Sequence, residues 1–133
     1  MTYLLDTNTC INYLNGRSEK IRQRLESSAP QDIVLCSVVK AELYYGAAKS
    51  AKPEKNFEKI NQFAVRFVSL PFDDLAAEAY GRIRAQLERA GTLIGPNDLM
   101  IAATGVSNAI TIVTHNTREF SRVEGLMLED WEA

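Results

Sequence analysis

Four acidic side chains in this sequence lie at the ends of predicted strands or at the start of a predicted buried helix, a pattern that suits metal-assisted chemistry. Asp6 comes directly after an apolar run, Glu42 and Glu119 each lie within about two turns of the end of a predicted strand, and Asp98 lies in the first turn of a predicted buried helix. Ligands of open parallel sheets bind beyond the carboxyl ends of the strands, so we expect these carboxylates to converge on one crevice. Crowded carboxylates repel one another unless a divalent cation neutralises them. Oxygen ligands without a Cys or His cluster favour Mg²⁺ or Mn²⁺ over Zn²⁺.

A carboxylate-held Mg²⁺ that keeps several waters suits phosphodiester chemistry. It polarises the phosphate, lowers the pKa of a bound water and stabilises charge on the leaving oxygen. His115 is a candidate general base, although a lone histidine beside a strand end is more often a turn or surface residue. The sequence has no Ser-His-Asp order, P-loop or dinucleotide-binding glycine pattern.

Each acid also has a purely structural explanation. Asp6, Thr7 or Asn8 would cap a helix, and a carboxylate in the first turn of a helix, such as Asp98, is favoured by the helix dipole. Glu42 is harder to explain in this way, because its spacing puts it on the apolar face of its helix. A carboxylate there costs several kcal/mol unless it is paired, protonated or bound to a metal.

The elements that position these acids alternate along the chain. Predicted strands cover residues 2–5, 33–36, 67–70, 109–114 and 126–128, and helical spacing fills the segments between most of them. This alternation predicts an α/β fold with a Rossmann-like parallel sheet of four to five strands and helices on both faces, as a single domain over residues 1–133.

Local signals predict several helix ends. Ser37 is expected to cap the helix that follows the second predicted strand. The Asp73-Asp74 pair is expected to begin the longest helix, and Gly91 to end it. Trp131 is expected to cover an edge of the sheet. The buried stripe of the longest helix is predicted to consist of Leu75, Ala76, Ala79, Ile83 and Leu87.

Composition limits the class of protein. The chain has 133 residues, a hydrophobic fraction of 46% and a net charge of −2. No apolar run approaches the about 18 residues of a membrane span, and no signal peptide pattern is present. We expect a cytoplasmic protein without membrane association. Cys10 and Cys36 are expected to be buried, reduced packing residues.

Four ordered motifs resemble the PIN-domain toxins of VapBC toxin–antitoxin modules. They are Leu-Leu-Asp-Thr-Asn at residues 4–8, Ala-Glu-Leu at 41–43 with Gly46, Ile-Gly-Pro-Asn-Asp-Leu-Met-Ile-Ala-Ala at 94–103, and Val-Thr-His-Asn-Thr-Arg-Glu-Phe at 113–120. The resemblance covers essentially the whole chain. It implies a PIN fold and a Mg²⁺-dependent endoribonuclease, with Mn²⁺ as a possible substitute. The family's metal-binding aspartates fall on Asp6 and Asp98, and its conserved glutamate falls on Glu42.

The fourth acid departs from part of the family. Many members have an aspartate where this chain has Asn116, and others have the acid three residues later, where it has Glu119. We assign Glu119 to the catalytic set and Asn116 to a supporting role, and leave open which of them completes the metal site. Thr114 and Asn8 are expected to position the phosphate or a metal-bound water.

The Gly-Pro-Asn-Asp motif and the Glu-Asp-Trp ending resemble the branch that cleaves initiator tRNA in its anticodon loop. The resemblance also implies a homodimer and a VapB antitoxin that blocks the acidic crevice. A structured RNA needs positive charge around the site. The candidates for phosphate contacts are Arg17, Lys20, Arg22, Arg24, Lys49, Lys52, Arg118 and Arg122.

Two alternatives remain open. A phosphoaspartate-type phosphohydrolase would also have an aspartate at the end of its first strand, but that chemistry needs a second one two residues later, where this chain has Asn8. A catalytically inactive PIN fold would serve only as an RNA-binding or repressor-complex subunit.

Overall fold

A five-stranded parallel sheet in the order β3-β2-β1-β4-β5 forms the centre of the computed structural model, which describes residues 1–133. The strands are β1 Tyr3–Leu5, β2 Ile33–Cys36, β3 Val68–Leu70, β4 Thr111–Val113 and β5 Leu128–Glu129. The helices are α1 Thr7–Leu14, α2 Glu19–Ser27, α3 Ser37–Ala48, α4 Pro53–Ala64, α5 Asp74–Ala90, α6 Pro96–Ser107 and α7 Thr117–Phe120. A short 3₁₀ turn, Pro30–Asp32, leads into β2. The predicted α/β fold class is confirmed.

The strand order reverses direction beside β1. The chain runs outward through β2 and β3, then returns to the other side of β1 to form β4 and β5. Leu4 therefore has a partner on each side, Val34 in β2 and Ile112 in β4. Crossover connections are right-handed, so this reversal puts the helices before β3 and those after it on opposite faces of the sheet. The crevice between β1 and β4 is the position where such folds bind ligands.

The core lies on both sides of the sheet because the central strands are buried on both faces. All four residues of β2 are buried, and so are six of the 12 residues of α6. Gly105 lets α6 approach β4 closely, since a β-carbon there would lie 2.8 Å from Cδ1 of Ile112. Cys10 and Cys36 are buried and form no disulfide, and burial raises the pKa of both thiols.

The helix ends follow most of the predicted signals. Asp73 caps α5 by accepting a hydrogen bond from the Ala76 backbone N–H at 3.0 Å, and Gly91 ends that helix in the left-handed conformation, with φ 68°. Two predictions are wrong. Ser37 is the first helical residue rather than the cap, which is Cys36, and Leu75 is 67% exposed because the buried face of α5 begins one residue later.

The C-terminal segment closes the sheet edge beyond β4. Trp131 is buried, with its ring centroid 5.4 Å from that of Tyr3. Arg24 lies over the Trp131 ring at 4.8 Å and pairs with Glu129 at 2.8 Å. Trp131 thus packs against Tyr3 of the central strand, its predicted role of covering an edge stays a prediction, and β5 begins two residues later than predicted. None of the helices combines the length and the apolar character that a membrane crossing requires.

Candidate active site

Asp6 lies at the point where β1 ends, facing the crevice between β1 and β4. Its backbone N–H donates to the Val113 carbonyl at 3.0 Å, which continues the pairing of the two strands by one residue. Its Oδ1 accepts from the Thr9 backbone N–H at 2.9 Å, so Asp6 is the N-cap of α1. The cap holds this carboxylate in a fixed position at the strand end. Asp6 can therefore cap α1 and also contribute its carboxylate to a functional site.

Burial governs the charge state of Asp6. The residue is only 4% exposed, and burial raises the pKa of its carboxyl above the ordinary value, with a further contribution from the charge of Glu42. Hydrogen bonds from Thr114 and Thr9 lower the pKa and partly offset this effect. A buried carboxylate whose charge lacks a basic partner is a strong candidate for a cation ligand.

Glu42 is held by side chains from two neighbouring helices. The Thr7 hydroxyl, in α1, donates to its Oε1 at 2.5 Å, and the Asn97 amide, in α6, donates to its Oε2 at 3.2 Å. These two neutral donors explain how a half-buried carboxylate is tolerated on an otherwise apolar face of α3. Neither donor is among the predicted site residues, although Thr7 directly follows Asp6 and Asn97 directly precedes Asp98.

The pKa of Asp98 is affected by the charges of the other three acids. Asp98 is half-buried in the first turn of α6. Burial raises the pKa of its carboxyl to about 6, and the negative charges of Asp6, Glu42 and Glu119 contribute in that order. The carboxylates of Asp6 after β1, Glu42 in α3 and Glu119 in α7 thus all affect the charge of Asp98 in α6.

The fourth acid is oriented by the turn that follows β4. The Asn116 side chain donates to Glu119 Oε2 at 3.1 Å, and the Asn116 backbone N–H donates to the Thr114 hydroxyl at 2.9 Å. Thr114 is fully buried. Asn116 and Glu119 thus form one hydrogen-bonded unit, which is the arrangement expected if the amide supports the acid. Asn8 is exposed and lines a groove beside Glu42.

The four acids have no basic partner. None of the six ion pairs in the structure includes any of them. Carboxylate and amide oxygens without thiolate or imidazole ligands fit Mg²⁺ or Mn²⁺. Asp6 and Asp98 are the two acids whose pKa values are raised by this environment, and they fit a cation that would relieve the repulsion.

A different group brings its ligand atoms closest together. His115, Asp130 and Glu132 have all three ligand atoms within 4.8 Å of one another. His115 is exposed, and its Nδ1 lies 3.0 Å from Asp130 Oδ2, which raises the pKa of the imidazole. Asp130 already pairs with His115, and Glu132 accepts from the Asn12 side chain at 3.3 Å. His115 is therefore tied to the C-terminal segment.

The eight predicted phosphate-contacting residues differ in the contacts that they make within the chain. Arg22 pairs with Glu19 and Glu26, and Arg24 pairs with Glu129, so both charges are compensated within the chain. Three others contact the protein in different ways. Lys20 donates to the Ala133 carbonyl at 3.0 Å, Arg122 donates to the Leu93 carbonyl at 3.3 Å, and Lys49 lies over the Tyr45 ring. The remaining three are exposed: Arg17, Lys52 and Arg118.

Lys49 lines a groove that opens beside Glu42. The groove has a volume of about 700 Å³ and runs between α1, α3 and the start of α6. Its lining residues are Thr7, Asn8, Ile11, Ser37, Val38, Ala41, Glu42, Tyr45, Gly46, Lys49, Asn97 and Met100. The acidic crevice and this groove therefore share the Glu42 side chain and both of its hydrogen-bond donors.

Comparison with known proteins gives concordant matches. The PIN domain family profile matches residues 3–126. The chain is 41% identical over 131 residues to the tRNA(fMet)-specific endonuclease VapC of Salmonella typhimurium, covering 98% of each protein. It is 39% identical over 133 residues to the ribonuclease VapC2 of Rickettsia felis, covering 99% of each.

Solved structures give the same result. The chain superposes on the structure of VapBC2 from Rickettsia felis bound to a DNA fragment from their promoter, with a TM-score of 0.92, covering 98% of this chain and 99% of that one. It superposes on DNA-bound VapBC from Salmonella typhimurium with a TM-score of 0.93 at 41% identity, covering 98% of each.

Proposed function

This chain belongs to the PIN domain family, and on that premise we propose that it is the toxin of a VapBC-type toxin–antitoxin module. Its activity is that of an endoribonuclease, which hydrolyses phosphodiester bonds of RNA with the help of a divalent metal ion. The relatives named above are ribonucleases and a tRNA endonuclease, and they match the chain over nearly its full length.

One observation carries the catalytic part of the proposal. Burial and the charges of Asp6, Glu42 and Glu119 raise the pKa of the Asp98 carboxyl to about 6, and no ion pair of the structure includes any of these four acids. Maintaining such repulsion destabilises the protein unless a cation binds. We assign Asp6 and Asp98 as the ligands of Mg²⁺, with Mn²⁺ as a substitute. Glu42 and Glu119 complete the catalytic set.

The metal ion and the two glutamates have different roles in the proposed hydrolysis. When bound, Mg²⁺ supplies a Lewis acid for the phosphate and lowers the pKa of a coordinated water. Glu42, fixed by Thr7 and Asn97, accepts a hydrogen bond from the attacking water. The water oxygen bonds to phosphorus, the bond from phosphorus to one ribose oxygen breaks, and that oxygen leaves with the proton that the water loses. Glu119, oriented by the hydrogen bond from Asn116, is the fourth carboxylate of the set.

The substrate is inferred from the relatives. The endonuclease of Salmonella typhimurium is named as specific for tRNA(fMet), and we extend this specificity to the present chain, with cleavage in the anticodon loop of initiator tRNA. A loop offers unstacked nucleotides that can enter a crevice, whereas a continuous helix does not. The partner is a VapB-type antitoxin, since the similar solved structures are VapBC complexes. We expect the toxin to be a homodimer within that complex.

The test is incubation of the purified, antitoxin-free chain with total bacterial tRNA in Mg²⁺ or in EDTA, followed by mapping of new RNA ends. The proposal expects one Mg²⁺-dependent cut in the anticodon loop of initiator tRNA. Mg²⁺-dependent cutting of other RNA would keep the nuclease and discard the substrate. RNA binding without cutting, equal in Mg²⁺ and EDTA, would favour the inactive binding subunit. Asp98→Asn serves as the inactive control, and Asp74→Asn as an active one, because Asp74 lies in the first turn of α5, outside the site.

A further inference from the structure

Tyr45 is an exposed aromatic side chain next to the catalytic acids. It lies three residues after Glu42 in α3, so the two side chains share one side of the helix. Tyr45 is 65% exposed, and both residues line the groove of about 700 Å³ beside the acidic crevice. The exposed Tyr45 ring is therefore available to a ligand that enters the groove.

The preceding residue shows what a structural tyrosine looks like in the same helix. Tyr44 is half-buried, its ring stacks on Phe57 with centroids 5.2 Å apart, and its hydroxyl donates to Asn61 at 2.5 Å. Tyr44 thus joins α3 to α4. Tyr45 has no such aromatic partner, and its one ring contact of this kind is Lys49, whose Nζ lies 4.8 Å from the ring centroid.

The groove has the chemistry of a nucleic-acid site. Lys49 places a positive charge over one face of the Tyr45 ring, and the groove wall adds neutral hydrogen-bonding groups from Thr7, Asn8 and Asn97. Recognition of single-stranded RNA combines positive charge along the backbone with aromatic side chains on which bases stack. The groove is continuous with the acidic crevice through Glu42, so a strand whose phosphate lies in the crevice would place a flanking nucleotide in the groove.

We propose that Tyr45 is a stacking platform for the nucleobase that flanks the scissile phosphate, and that Lys49 contacts the adjoining phosphate. This inference rests on the proposed ribonuclease function and adds that the substrate is a single-stranded, unstacked segment of RNA. The base stacks on the ring face opposite Lys49. Tyr45 and Lys49 bind substrate and take no part in proton transfer, so their substitution affects binding more than the chemical step.

The first experiment compares Tyr45→Phe, Tyr45→Leu and Lys49→Gln in cleavage of a short RNA hairpin that contains the mapped cut. Tyr45→Phe keeps the ring and is expected to leave KM within about twofold of the wild-type value. Tyr45→Leu keeps apolar bulk but loses the ring, and KM is expected to rise about tenfold with little change in kcat, since stacking on one aromatic ring contributes on this scale. Lys49→Gln should raise KM and reduce its salt dependence. Leu75→Ala, at an exposed apolar residue of α5, is the control.

A second experiment measures binding without cleavage. The RNA is the anticodon stem-loop of initiator tRNA with a fluorescent adenine analogue in its loop, and the protein is held in EDTA. Quenching on binding is expected for the wild type and Tyr45→Phe, but not for Tyr45→Leu. A hairpin with an abasic residue at that position should bind the wild type and Tyr45→Leu equally.

The outcomes separate this inference from the proposed function. If the wild type cleaves no RNA, the ribonuclease proposal fails, while the quenching measurement still decides whether Tyr45 binds a base. If Tyr45→Leu binds and cleaves RNA as the wild type does, the platform is refuted. Unchanged RNA affinity combined with weakened antitoxin binding would also refute it, because Tyr45 would then belong to a protein-binding surface.

Discussion

Replacing Asp98 with asparagine removes one negative charge from the acidic crevice without changing the volume of the side chain. In the metal-free protein this charge is unfavourable, because burial and the neighbouring acids raise the pKa of Asp98 from 3.8 to about 6. A carboxyl that binds its proton more tightly in the folded state favours folding at low pH, and this contribution is lost as the pH rises from 3.8 through about 6. The variant should therefore be more stable than the wild type at pH 7.5 in EDTA.

The size of the effect follows from the pKa of Asp98. A rise from 3.8 to about 6 corresponds to about 3 kcal/mol, at about 1.4 kcal/mol per pKa unit. Asp98 is only half-buried, and screening by water reduces this figure to about 1–1.5 kcal/mol. For a domain of this size the midpoint of thermal unfolding should rise by about 4 °C. Cleavage should fall by more than about 100-fold, since the proposed metal ligand is lost.

The assay is thermal unfolding in EDTA and in Mg²⁺, together with RNA cleavage. Asp74→Asn is the matched control, because Asp74 also lies in the first turn of a helix and its substitution measures the loss of the helix-dipole interaction alone. Mg²⁺ should stabilise the wild type and Asp74→Asn but not Asp98→Asn. A variant that is less stable than the control in EDTA, or one that still cuts RNA in Mg²⁺, would refute the reasoning.

Three further predictions test other parts of the structure. If Asp98 is a Mg²⁺ ligand as proposed, protons compete with the ion there, and titration calorimetry should show an affinity for Mg²⁺ about tenfold weaker at pH 5 than at pH 8. Gly105→Ala should lower the free energy of unfolding in urea by about 1 kcal/mol, because the new β-carbon would crowd Ile112; Gly81→Ala, a helical glycine with open space around it, should raise it by about 0.5–1 kcal/mol. Trp131→Ala should lower it by about 3 kcal/mol, and an unchanged urea midpoint would show that the C-terminal segment does not support the core.

The strand ends could be predicted because the sequence changes character abruptly there. Asp6 directly follows a buried strand, and a carboxylate in that position has few uses other than capping a helix and binding a ligand. Gly91 and Asp73 could be predicted from local chemistry as well, since a left-handed helix end favours glycine and an N-cap favours aspartate. Such signals depend on a few adjacent residues.

The network around Glu42 could not be predicted in this way. Its donors Thr7 and Asn97 are 35 and 55 residues away in sequence, and they meet it only because α1 and α6 both pass α3 at the crevice. Which basic residues are free to bind RNA could not be predicted either. Arg22 and Arg24 occupy exposed positions of a helix, but whether their charges are free for RNA depends on ion pairs, one of which reaches Glu129. The prediction that Leu75 is buried is wrong because a shift of one residue along a helix rotates the side-chain position by about 100° around the axis.

The position of β1 in the sheet has a consequence for synthesis of the chain. Tyr3 pairs with Ile33 on one side and with Thr111 on the other, so one neighbour of β1 is synthesised 30 residues later and the other 108 residues later. The first half of the sheet can form early during translation, whereas the wall of the crevice beyond Asp6 forms only when β4 has left the ribosome. Pairing over such a separation is slow. Glu119 is synthesised later still, so a nascent or prematurely terminated chain has Asp6 and Glu42 in place but lacks the complete set of acids. On the proposed assignment, the complete set of acids can therefore assemble only after most of the protein has been made.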